Sequence, residues 1–116
     1  MINMVKATMF AFLVWVSTTG QLWAGSSSGF VTNLLVVDDG RVIFEAGNHI
    51  NKPDCSTETQ QGSWVFGLGT NSGRAMYELL QTAIQQNLSV TVEGRSQCYF
   101  PYNAREQVYY LVINNS

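Results

Sequence analysis

MYELLQTAIQQNLSVTVEG, residues Met76–Gly94, changes its period half-way along, and that change decides the fold class. Met76, Leu79, Leu80, Ala83 and Ile84 recur at helical spacing, with Gln81, Gln85 and Gln86 on the opposite side. This is the pattern of a helix with one buried stripe. Leu88, Val90 and Val92 then alternate with Ser89, Thr91 and Glu93, the period-two pattern of a strand with one covered face. Asn87 lies between the two and suits a left-handed helix stop. Asn71 or Ser72 suits the amino-terminal cap.

Working outward, Phe30–Val37 and Val42–Ala46 read as strands around Asp38-Asp39-Gly40, a turn in which Gly accepts positive φ. Gly47–Gly62 is polar and contains Pro53 and Cys55, which predicts a long loop. Ser63–Leu68 (SWVFGL) is a short third strand, with Trp64 expected in the core. Beyond the fourth strand, Gly94–Arg105 reads as a loop and Gln107–Ile113 (QVYYLVI) as the fifth strand. The order is β-β-β-α-β-β. Five strands with a helix between the third and fourth predict a mainly β, five-stranded OB-fold-like barrel, which closes the edges of the sheet. The alternative is an open α+β sheet with one helix packed across it.

The amino end has a different character. Lys6 precedes an almost unbroken apolar run from Ala7 to Val16, then Ser17, Thr18, Thr19 and Gly20, with the small Ala24 before a cut. This is the layout of a signal peptide over residues 1–24, and the run is shorter than the roughly 20 residues that a spanning helix needs. The expectation is an exported chain, periplasmic or secreted, with no membrane span once the signal is removed. Residues 25–116 form a single domain that opens with a flexible Gly25–Gly29 (GSSSG). The whole chain carries 6 basic and 8 acidic residues, a net −2 that becomes −3 without Lys6. The charges are interspersed rather than gathered on a basic face, so nucleic acid is not an expected partner.

Cys55 and Cys98 are the only cysteines. Behind a signal peptide they predict one disulfide, worth up to ~4 kcal/mol for a closed loop of roughly forty residues. With His49 as the only histidine, the usual zinc ligand set is incomplete; no metal or cofactor is expected. Gly67–Gly73 (GLGTNSG) has the spacing GxGxxxG without a parallel βαβ unit around it, and reads as a strand-to-helix turn. His49 has no partner nearby in sequence. An enzyme built on the loop containing His49 and Glu58 is the weakest reading, since no nucleophile elbow or acid–base pair accompanies it; no catalytic residue is assigned. Asp38 and Asp39 belong to their turn.

Arg95–Arg105 (RSQCYFPYNAR) is the best candidate surface. Its rings and polar groups suit stacking on sugar faces and hydrogen bonding to hydroxyls, and Tyr99, Tyr102, Asn103 and Arg105 are the candidate ligand contacts. The competing reading has this segment covering the end of the fold beside the disulfide.

With these features in place the chain resembles the B subunits of subtilase-cytotoxin and pertussis-like toxins, and related small exported bacterial proteins. The resemblance rests on LLVVDDGRVIFEA, Pro53-Asp54-Cys55, SWVFGL, and the helix-to-strand segment MYELLQTAIQQNLSVTVEG followed by the second cysteine. It spans residues 29–113 as a pattern rather than a diagnostic motif. It implies an OB fold, a pentameric ring and glycan binding. The chain departs from the family in having a single cysteine pair, and no sugar-contacting residue transfers to a numbered position. The expected function is a non-enzymatic binding module for carbohydrate or another exported protein; the alternative is a structural protein that self-associates as a homo-oligomer. The exported chain is expected to begin at Gly25, and mass spectrometry of soluble exported protein checks this. An intact Met1 end would defeat the expectation.

Overall fold

The computed structural model describes residues 24–57, 62–99 and 105–115. Six strands and one helix follow in the order β1 (Ser26–Gly29), β2 (Val31–Val36), β3 (Arg41–Ala46), β4 (Ser63–Gly67), α1 (Asn71–Gln86), β5 (Val90–Tyr99) and β6 (Arg105–Ile113). They form one mixed sheet, β1-β5-β6-β4-β3-β2. All neighbours are antiparallel except β4 and β6, which run parallel through Trp64–Glu106 and Val65–Gln107.

The sheet has six strands and is not closed by a ladder between its end strands, so the five-stranded barrel is corrected to the alternative, an open sheet with one helix. The difference arises at the amino end. Gly25–Gly29 is not a flexible lead-in. Ser26 to Gly29 pair with Glu93 to Val90, and Ser26 also exchanges backbone hydrogen bonds with Ile50.

Phe30 alone separates β1 from β2, yet the two strands stand at opposite ends of the sheet order. In a flat sheet they would lie roughly 24 Å apart at the usual strand spacing, whereas the two steps from Gly29 to Val31 span about 7 Å at most. The sheet therefore curls until its first and last strands meet end to end.

The β2–β3 hairpin forms as expected, with Val36 opposite Val42 and Gly40 at φ 89° in the turn. The apolar residues of β3 and β4 meet across the ladder as Val42–Phe66, Ile43–Val65 and Phe44–Trp64. All six are buried, Phe44 and Trp64 completely, so these central strands are covered on both faces. The helix lays Leu80 and Ala83 on this core, together with Val90, Val92 and Val108, while Met76 and Tyr77 pack at the margin. Ile84, expected in the buried stripe, is exposed. The cap is Thr70, one residue before Asn71 and two before Ser72, the expected positions; its hydroxyl accepts from Gly73 N at 3.0 Å. Asn87 ends the helix in the left-handed region, φ 56° and ψ 49°, where its short polar side chain is tolerated. No described helix is long and apolar enough to cross a membrane.

Strand β5 runs further than the sequence pattern implies, because Gly94–Tyr99 continues the pairing through two register shifts, one at Glu93/Gly94 and one between Gly94 and Cys98. Bulges break the alternation on which a strand reading depends, so this stretch looks like loop in sequence. Cys98 therefore lies on a strand, and it is bonded to Cys55 in the loop after β3, with Cα atoms 5.9 Å apart. The bond ties the long loop to the far end of β5. Cys55→Ser is expected to lower stability by about 2–4 kcal/mol, read as a lower denaturant midpoint under non-reducing conditions.

Candidate functional site

The end of the sheet where β3 begins and β4 stops meets the start of α1 and the bulged part of β5. A cleft of about 270 Å³ opens there, lined by Arg41, Gly67, Thr70, Ser72, Arg95 and Gln107 above a floor that includes Phe66, Met76 and Val108. No Asp or Glu is among the described residues that line it. Two guanidinium groups therefore face a space otherwise bordered by hydroxyls, an amide and the first turn of a helix, whose dipole adds to the positive field.

Both arginines are braced by aromatic rings. Arg41 Cζ lies 3.9 Å from the centre of the Tyr99 ring, and its Nη2 donates to Tyr99 Oη at 2.8 Å. Arg41 Nε is shielded from solvent and has no acceptor among the described residues. Arg95 Cζ lies 5.1 Å from the Tyr109 ring centre, while its Nε donates to Val108 O at 3.2 Å. A ring beneath a guanidinium contributes about 0.5–2 kcal/mol and limits how far it wanders.

Tyr99, chosen from sequence, thus belongs to this site through Arg41, and it borders a smaller cavity beside the cleft. Arg105 does not share the cleft. It lies directly opposite Tyr99 in the β5–β6 register, but its Nε donates to Ser63 Oγ at 2.6 Å and it borders a separate cavity of about 500 Å³ with Asn33, Leu35 and Glu45. Tyr102 and Asn103 lie outside the described residues, as does Glu58. Sequence reasoning missed Arg41, assigned to a hairpin, Thr70, read only as part of a turn, and Ser72, read as a candidate helix cap. The glycine-rich turn before the helix was the available signal; its pairing with Arg41 requires the sheet order.

No family model, curated protein or solved structure matches this chain. The reading of the cleft rests on its own residues.

A second polar cluster lies inside the fold. His49 Nε2 and Glu106 Oε1 are 2.7 Å apart, with both side chains almost wholly buried. The His49 ring stacks on Trp64 at 4.0 Å between centres, and Trp64 Nε1 donates to Ser27 Oγ at 2.8 Å. The histidine that lacked a neighbour in sequence has one in space, supplied by β6. Neither residue lines the cleft, and both side chains are packed inside the domain. Ser27→Ala is expected to cost about 1–3 kcal/mol by leaving the buried indole N–H unpaired, a loss that chemical denaturation would register.

Proposed function

We propose that this chain is an exported, non-enzymatic binding module whose ligand is a carbohydrate carrying an acidic group. The observation that carries the reading is the pair Arg41 and Arg95 facing one cleft that no described carboxylate lines. Guanidinium groups take carboxylate or sulfate oxygens through paired, charge-assisted hydrogen bonds. Thr70, Ser72 and Gln107 offer the donors and acceptors that sugar hydroxyls need. The Cys55–Cys98 bond is compatible with an oxidising compartment, and the resemblance to toxin B subunits, which implies glycan binding, supports a carbohydrate ligand without bearing on its charge. The module works by orienting a ligand and holding it, with affinity set by the arginines and specificity by the hydroxyl and amide groups around them.

A glycan array probed with the oxidised exported protein tests this reading. Acidic glycans are expected to be retained over their neutral counterparts, and retention should fall as salt rises. Arg95 is exposed, so Arg95→Gln should weaken capture about tenfold or more, equivalent to roughly 1.4 kcal/mol, while loss of its Tyr109 and Val108 contacts lowers the melting temperature by about 8 °C at most and leaves the protein folded under the assay conditions. Capture of neutral glycans only, or of none, retires the reading.

A second reading, self-association, draws on β2, an end strand on which Leu35 and Val36 are 56% and 44% exposed. Exposed apolar residues on an end strand invite pairing with another chain. Native mass measurement distinguishes the two: a monomer that retains acidic glycans supports the first reading alone.

A further inference from the structure

Glu106 is completely buried. Its Oε1 meets His49 Nε2 at 2.7 Å. Its Oε2 accepts from Ser96 N at 2.9 Å and from Gly25 N at 3.0 Å. His49 supplies a countercharge only when protonated, and the other two donors are peptide nitrogens, which carry none. A carboxylate in this position is expensive unless it is paired.

Gly25 is where the sequence puts the export cut. Gly25 is buried while Ala24, the residue before it, is exposed. A Cβ at position 25 would land on the Glu106 carboxylate and the His49 ring, so only glycine brings its nitrogen this close. The segment is also fixed from its other side: Gly25 O accepts from Gly94 N at 2.9 Å, and Ser26 is paired with Ile50.

We propose that signal removal makes a structural cation: the new α-ammonium of Gly25 stays on Glu106 Oε2 as the countercharge of the buried carboxylate. The step is hydrolysis by a signal peptidase. The Ala24–Gly25 amide bond breaks, water gives its hydroxyl to the Ala24 carbonyl carbon, and the Gly25 nitrogen gains hydrogen and is protonated at neutral pH. One N–H remains on Glu106. The position vacated by Ala24 is exposed, so water meets the other two. A neutral donor becomes a charged one without moving, so an ion pair replaces a hydrogen bond from an uncharged amide at about 3.0 Å. This inference rests on the signal-peptide reading and is independent of the ligand.

The processed chain has two primary amines, the Gly25 α-amine and Lys52, which makes the test direct. The full chain is expressed with its signal, and the exported product is purified and weighed. Native protein is then treated with a limiting amine-acylating reagent at neutral pH. An α-amine ordinarily reacts ahead of a lysine, because more of it is deprotonated. Here the α-amine is expected to react at least tenfold more slowly than in the unfolded chain, leaving Lys52 as the principal site. Two serines inserted between Gly25 and Ala24 move the new amine away from Glu106; that variant is expected to label freely and to melt about 5 °C lower or more. In a Glu106→Gln background the insertion should leave the melting temperature unchanged. If Glu106→Gln does not fold, the labelling comparison decides alone. A freely reactive α-amine in the folded wild-type protein overturns the proposal, as does an insertion without effect on melting. A product that starts at a residue other than Gly25 overturns it through its premise, and the mass identifies that case separately.

Discussion

A carboxylate sealed inside a small domain has to be met by donors, and Glu106 is met from three separate parts of the chain. One donor comes from the amino end of β1, one from the loop after β3, and one from the bulge in β5. The carboxylate itself is carried by β6. The surrounding sequence makes room for it. A Cβ at Gly94 would occupy the space of the Glu106 carboxylate and crowd the Trp64 ring. Ser96 takes a positive φ of 62°, a conformation that a non-glycine residue adopts at a cost, and its N–H reaches Glu106. The bulge that hides β5 from a sequence reading is thus part of the cradle for this side chain.

Several features were legible because their causes are local. The helix and its stop at Asn87 follow from apolar spacing and one residue suited to the left-handed region. The β2–β3 hairpin follows from its turn, and the disulfide from a lone cysteine pair behind a predicted export signal. What escaped depends on contacts between distant segments. Ser26–Gly29 has the composition of a linker, yet its hydroxyls are used: Ser27 accepts from Trp64, and Ser28 Oγ lies 3.1 Å from Thr91 Oγ1. Glu106 looks like the polar margin of a strand, and His49 looks solitary, because their partners are far away in sequence. The barrel expectation failed at the same place, since it took β1 for a flexible lead-in and β2 for the first strand.

The candidate site shows the same division. Tyr99 was found from its aromatic and polar surroundings, but its role beneath Arg41 depends on β3 and β5 converging at one end of the sheet. Strand ends and helix starts are where backbone groups remain available and side chains fan outward, so a cleft there combines a rigid frame with varied chemistry. Arg105 shows how register separates neighbours: it stands opposite Tyr99 in the ladder, yet its Nε donates to Ser63 Oγ, away from the cleft.

The curl imposed at Phe30 also bears on the order in which the molecule assembles. Strand β1 is the first to be synthesised, but its ladder partner β5 follows β2, β3, β4 and the helix. The β2–β3 hairpin closes through neighbouring residues and can form early; β1 must wait, its polar backbone solvated, until almost the whole domain has been made. Pairing across such a sequence separation carries a loop-closure cost and slows folding. A lead segment of serines and glycines suits that wait, being too polar to collapse onto the wrong partner before β5 arrives.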